Sequence, residues 1–402
     1  MYIDNVKDFR KYKVNIGIAL LMLFLCMGFS SRLIPSAFLV QKIIVLGSCV
    51  ALLGLLGPDR RFVKNFYFYI VIVFTCYLFS DQYYVGLSFS DFIKAVIGGS
   101  LFFLILTVDF KNYIKSVSTA YILLPMVMVP ISLVLSKLLG FGLGHPGRFG
   151  GGIASAHYAF LTYYAVVLAC YHCLNKDRFS FLLYGGCLLL LLLSGSRGPL
   201  IAALLPSLML VKFLKRPAFR QKLWFFMPII VLVLIKFVSA MIARTEMETF
   251  NAEGSFNLSG RDVAWEYFLA QVHGLNLFGG GLGSTTDITK GVEEFNLYLF
   301  VAPHNEFIRV FLELGYIGCT LFFLNIWIIF RLVFKNSTKE TRWFLFLAFL
   351  GFMVVTIFDN TFSTIQSYVP LALLIKFILT TEGMKIKNDS KKSTGIGLYT
   401  HV

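Results

Sequence analysis

Charge is what this chain has least of. Only 14% of its 402 residues are Asp, Glu, Lys or Arg, whereas soluble domains carry roughly 25%. With 57% hydrophobic residues, 43 Phe among them, and a mean hydropathy of +0.77, folding cannot hide the apolar surface from water. That leaves an integral membrane protein. Neither a secreted nor a cytosolic enzyme is expected, and no nucleic-acid partner. Acidic residues are the scarcer sign, 21 against 36 basic ones. In a membrane protein such an excess marks cytoplasmic loops.

Other absences narrow the field. The seven cysteines all lie in apolar stretches, so a disulfide framework is not expected. Cys170-Tyr-His-Cys173 has CxxC spacing without a second ligand pair, so neither a metal nor any cofactor is expected. The first apolar run, Val14 to Ser30, ends without a small-x-small cleavage signal and reads as a retained helix. No internal repeat is evident.

What is present is a succession of apolar runs. A spanning helix needs about 20 mostly apolar residues. Twelve segments qualify: 14–31, 37–57, 65–81, 93–109, 117–139, 153–173, 179–195, 198–215, 223–243, 306–330, 343–359 and 362–381. Backbone polar groups in hydrocarbon must be satisfied internally, so these are helices. Pro125 and Pro130 inside the fifth imply kinks rather than gaps. Of the 36 Lys and Arg residues, 24 fall in alternate connections and at both ends of the chain, which makes that side cytoplasmic. The expected fold is therefore an all-α membrane protein of about 12 transmembrane helices with both termini cytoplasmic. Residues 1–384 form one polytopic domain and 385–402 an unstructured cytoplasmic tail.

On the other face one connection stands out, the stretch 244–305 between the ninth and tenth helices. Its aromatic content argues for order, and Ser259-Gly-Arg-Asp262 before an apolar stretch predicts a short helix over Asp262 to Val272. Loops this long in a compact protein are usually functional when ordered.

The outer-face cations run against the charge rule. Arg197 sits in Leu193-Ser-Gly-Ser-Arg197-Gly-Pro-Leu200, a short turn between two apolar helices. Its guanidinium either binds an anion or snorkels to the interface. Arg148 lies in the Gly-rich stretch Gly144 to Gly152, and is either a ligand contact or a solvated cation. Arg261 opens the short loop helix and is followed by Phe278-Gly-Gly-Gly-Leu-Gly283, a weak phosphate-cradle signal. His304 stands where the tenth helix starts, the side chain best suited to move a proton near neutral pH. Asn305 beside it can cap that helix. Glu306, Arg309 and Glu313 share one helix face, as an internal polar stripe or as supporting ligand contacts. His157 and the remaining histidines read as satisfied or solvated residues.

Taken together, three motifs resemble the O-antigen ligase/polymerase family of integral-membrane glycosyltransferases. They are Ser-Gly-Ser-Arg197-Gly at the outer end of a mid-chain helix, Arg261-x-x-x-Trp265 followed by Leu277-Phe-Gly-x-Gly-Leu-Gly283, and His304-Asn305 followed by Glu313-Leu-Gly-Tyr-Ile-Gly318. The resemblance covers roughly residues 140 to 330 and implies a GT-C-type fold in a bacterial inner membrane with the active site facing the periplasm. It implies metal-independent transfer of an undecaprenyl-pyrophosphate-linked glycan onto a sugar hydroxyl in surface polysaccharide assembly. The acceptor would be a lipid-linked repeat unit for a polymerase, slightly favoured, or lipid A–core for a ligase. A chain-length regulator is a further implied partner. Arg197, Arg261 and, by a looser match, Arg148 would bind the donor pyrophosphate, and His304 would act as base or phosphate ligand, with Asn305, Glu306 and Arg309 in support. A lipid-linked glycan transporter or flippase is the rival from another class.

Overall fold

The computed structural model describes residues 13, 16–24, 37–80, 87–139, 149–150, 153–175, 178–215, 235, 239, 261–272, 274–288 and 302–395. Among them the protein is all-helical without a strand; a single antiparallel bridge joins Pro58 and Val108. The helices are α1 (Ala37–Leu56), α2 (Arg60–Leu78), α3 (Phe89–Thr107), α4 (Ile114–Leu139), α5 (Ser155–Leu174), α6 (Arg178–Leu193), α7 (Arg197–Ser207), α8 (Arg261–Ala270), α9 (Glu306–Lys335), α10 (Lys339–Phe358) and α11 (Ile365–Gly395). Residues 16–24 are also helical, and a 3-10 segment, Leu208–Lys215, extends α7.

These elements follow the apolar runs closely. Six helices among the described residues are long and apolar enough to cross a membrane, and three shorter apolar helices accompany them. The expected span 223–243 lies outside the described residues apart from Ile235 and Ser239. Large apolar side chains stand exposed along the bundle, among them Ile43, Val50, Tyr67, Val71, Leu182, Trp327, Ile328 and Phe346. A soluble monomer does not carry such a belt; facing lipid, it is the ground state. α4 passes through Pro125 and Pro130 as one helix.

The centre of the bundle is built from α5 and α11. α5 is buried on nearly all sides, packing on α4, α6, α7 and α11, while α11 packs on α3, α4, α5 and α9. Lipid tails are as apolar as leucine, so helices associate in a bilayer through close packing and interhelical hydrogen bonds. Both devices are present. Gly351 of α10 lies against the backbone of Ala202 in α7. Asn65 of α2 donates to Asn325 of α9 (2.6 Å), which returns a bond to the Asn65 carbonyl (3.0 Å).

Two local expectations are corrected. The tenth span reads as one helix from 306, but α9 breaks at Gly315 (φ 65°, ψ −172°). The stretch Asn276–Gly280 takes over the bonds the break leaves open. Tyr316 N–H donates to the Asn276 carbonyl and Ile317 N–H to the Leu277 carbonyl, both at 3.0 Å, while Leu312 C=O accepts from Gly280 N–H at 2.9 Å and Phe311 C=O from Asn276 Nδ2 at 3.1 Å. A break at membrane depth is tolerated only when its backbone groups are satisfied this way. The second correction concerns the polar stretch from Lys385, which continues α11 as helix to Gly395. Extending an existing helix carries no nucleation cost, so polar residues of middling propensity can follow it.

Candidate functional site

Three helix starts carry the residues singled out above. Arg197 is the first residue of α7 and Arg261 the first of α8, while His304 directly precedes Asn305, the N-cap of α9. The N-terminus of a helix is its positive pole, so a cation there is unfavourable by roughly 0.3–1 kcal/mol unless an anion sits nearby. Two arginines in that position are an arrangement suited to an anionic ligand.

The turn that presents Arg197 is fixed from both sides. Gly195 adopts φ 66°, Ser194 Oγ donates to the Leu191 carbonyl (2.6 Å), and the Leu193 carbonyl accepts from Phe149 N–H (3.0 Å). Phe149 also packs edge-on against Tyr158 of α5 (5.2 Å). Arg148 itself lies outside the described residues, next to this anchored Phe149.

His304 is held in an unusual backbone state. It has φ 49°, the one non-glycine residue with positive φ among the described residues. A left-handed residue with a Cβ costs about 1–2 kcal/mol, and such strain persists where surrounding structure imposes it. On one side Asn305 Oδ1 accepts from Phe307 N–H (3.0 Å) and Ile308 N–H (3.2 Å), locking the start of α9. On the other, His304 Nδ1 lies 3.5 Å from Asp359 Oδ1 at the end of α10. A carboxylate at Nδ1 sets the orientation of the imidazole ring.

Asp359 is the hub of this end of the bundle. Asn360 N–H donates to its Oδ1 (2.9 Å), and His157, at the start of α5, interacts electrostatically with both Asp359 and His304. Trp265 of α8 lies with its ring 6.4 Å from that of Phe358, and α8 is seated on α9 through Ala264, Phe268 and Leu312. Arg261 is one turn before Trp265, about 6 Å along the axis. Gly351 against Ala202 fixes the register of α10 on α7. Counting about 1.5 Å per residue from that contact, Arg197 and Phe358 end within about 3 Å of the same level.

Arg309 proves to be committed. Its guanidinium bonds both Glu306, through Nε (3.0 Å) and Nη2, and Glu313, through Nη1. Glu306 Oε2 also accepts from Phe362 N–H (3.1 Å), and Glu313 Oε1 from Thr285 Oγ1 (2.5 Å). Lys42 of α1 interacts electrostatically with Arg309 and Glu313. Glu306 and Arg309 thus brace α9 against the α10–α11 turn and the loop, and support His304 through the scaffold. The Gly-rich stretch is occupied too. Gly280 N–H bonds α9, and Gly281 and Gly283 press against Leu87 and Ala95. Of its backbone N–H groups, that of Gly280 is taken by α9. Cys170 and Cys173 are buried in α5, Cys170 Sγ reaching the Pro206 carbonyl at 3.6 Å.

Residues 181–323 match the family model described as O-antigen ligase. That segment, about a third of the chain, is similar to the O-antigen ligase family. The match begins in α6 and ends in α9, so it contains Arg197, Arg261 and His304, while Arg148, His157 and Asp359 fall outside it. No curated protein matches the chain. The similarity to the O-antigen ligase family, together with six helices long and apolar enough to cross a membrane, suits a multi-pass membrane protein. Sequence reasoning had no signal for Asp359 and set His157 aside. A carboxylate after an apolar helix reads as a surface residue, and its partner lies 55 positions earlier.

Proposed function

We propose that the protein is a polysaccharide polymerase of the O-antigen ligase/polymerase family. In this reading the chain crosses the inner membrane twelve times with both termini in the cytoplasm, in a GT-C-like arrangement. The reaction at its periplasmic face joins a sugar hydroxyl to an undecaprenyl-pyrophosphate-linked glycan. The observation that supports it is the approach of His304 to Asp359 (3.5 Å), with Trp265 of the Arg261-headed α8 beside Phe358 and Arg197 heading α7.

The chemistry follows from the groups. His304 Nε2 takes the proton of the acceptor hydroxyl while Asp359 positions the ring from Nδ1. The hydroxyl oxygen forms the new bond to the anomeric carbon, and the bond from that carbon to the pyrophosphate breaks. The electron pair leaves on the pyrophosphate oxygen, where Arg197 and Arg261, with Arg148 from the neighbouring loop, meet the growing charge. Arginine suits that task because its planar fork pairs with phosphate oxygens bidentately. Removing one such donor typically costs about 3 kcal/mol of barrier. A positioned base contributes about 10²–10⁴-fold.

The test is glycan transfer by purified protein from a lipid-pyrophosphate donor, alongside donor binding. Arg197→Lys keeps the charge and loses the fork, so transfer is expected to fall about 10²-fold. His304→Ala is expected to lose at least about 10²-fold in transfer while still binding donor. Lost donor binding in His304→Ala would make the histidine a phosphate ligand; near-normal transfer by both variants would return the transporter to the lead. The twelve-span topology has its own check. Cysteines placed at Ser255 and Lys215 should label from opposite sides, and labelling from one side would sink it.

A further inference from the structure

Buried polar atoms in folded proteins are almost always hydrogen-bonded, and each exception asks for a cause. Around Asp359 three side chains from three elements hold such an exception: Nδ1 of His157 in α5, Nε1 of Trp265 in α8 and Oδ1 of Asn360 in the α10–α11 turn. Each has a link to Asp359 or to its neighbour Phe358. Asn360 donates its N–H to Asp359, the Trp265 ring is beside Phe358, and His157 interacts with both Asp359 and His304.

Their chemistry says what completes them. An indole N–H only donates, an amide oxygen only accepts, and a neutral imidazole nitrogen does one or the other according to its tautomer. A pyrophosphate offers acceptors alone and cannot satisfy Asn360 Oδ1. A polyprenyl tail satisfies none of the three. Adjacent hydroxyls, each both donor and acceptor, satisfy all three, and the C–H face of a pyranose ring suits an aromatic neighbour.

We propose that His157, Trp265 and Asn360 form a sugar subsite flanking His304, which holds the ring whose hydroxyl is to be transferred onto. The inference rests on the glycosyltransferase reading and goes beyond it by naming the groups that recognise the acceptor. The same hydroxyl chemistry is present in the first sugar of the donor, so the experiment separates the two sources.

The probes are a lipid-pyrophosphate-linked oligosaccharide as donor and the free oligosaccharide of the same repeat as acceptor. The protein is the full chain in nanodiscs. Trp265→Phe removes the N–H and keeps the ring; His157→Phe removes the nitrogen, and His157→Asn restores a polar atom at the δ position. Each lost bond is expected to raise acceptor KM about ten-fold, with kcat and donor binding much less affected and His157→Asn recovering most of the loss. A fall in donor binding with acceptor KM unmoved would overturn the acceptor assignment in favour of the donor sugar. Unmoved KM and donor binding would overturn the subsite, leaving the three atoms to ordered water. Should the wild type bind both probes and transfer nothing, the glycosyltransferase reading fails by itself. Direct titration with the free oligosaccharide, unaffected by Trp265→Phe and His157→Phe, would then overturn the subsite separately.

Discussion

The two ends of the bundle use their charges differently. At one end Asp59 takes three bonds from Arg61, from its N–H (3.2 Å), Nε (2.9 Å) and Nη2 (2.7 Å), and a fourth from Lys376 of α11 (2.5 Å). Six residues further along α11, buried Glu382 accepts from Tyr171 of α5 (2.7 Å) and from Thr338 N–H before α10 (2.8 Å). At the other end His304 and Asp359 stand 3.5 Å apart, and His157, Trp265 and Asn360 each keep an unsatisfied buried atom. Carboxylates that fill their capacity from neighbouring helices hold the fold. The groups that leave capacity open near a strained histidine are those the proposed sugar subsite uses. Arg309 shows how the distinction is made: it stands at the open end but belongs to the closed kind, because both its carboxylates are already bonded to it.

The comparison can be broken from the structural side first. Gly315→Ala should have the largest effect, since a Cβ there would lie 2.4 Å from the Leu277 backbone at φ 65°. A loss above about 4 kcal/mol is expected, seen as failure to recover folded protein in detergent. A well-folded, active variant would refute the stitched break. Next comes Asp59→Asn, which leaves Lys376 buried without its counter-charge. Breaking such a pair costs about 3–5 kcal/mol, so thermal unfolding should shift strongly downward while transfer per folded molecule stays unchanged. Lost transfer at unchanged stability would assign Asp59 to function instead.

The smallest effect is in pH. Burial alone would raise the Asp59 carboxyl, but the Arg61 hydrogen bonds and the Lys376 charge outweigh it and hold it at about 2, below its ordinary 3.8. A lowered folded-state value means this contribution is fully present above pH 3.8 and lost as pH falls through about 2. Stability should therefore carry an Asp59-dependent decline between those limits, of about 2 kcal/mol, absent in Asp59→Asn. An identical decline in the variant would remove Asp59 as its source.

How much of this was legible depended on the range of the interaction. Helices on the expected segments follow from local apolar runs, and α8 starts at Arg261, one residue before the expected Asp262. The Arg197 turn and the Asn305 cap were equally local. The break at Gly315 was not, because Glu313-Leu-Gly-Tyr continues an apolar helix unless one knows that Asn276–Gly280 waits to bond it. The same gap hid Asp359. Nothing near it in sequence marks it, and only packing brings it to His304. Arg309 was legible as a partner of either carboxylate; that it takes both is a fact of side-chain geometry.

The stitch at Gly315 also governs where the chain can change length. Because Asn276–Gly280 supplies the hydrogen bonds of α9, and Gly281 and Gly283 press on α3 and its approach, that run is pinned residue for residue. An insertion within it would shift those bonds out of register. Insertions and deletions should therefore spare Asn276–Gly283.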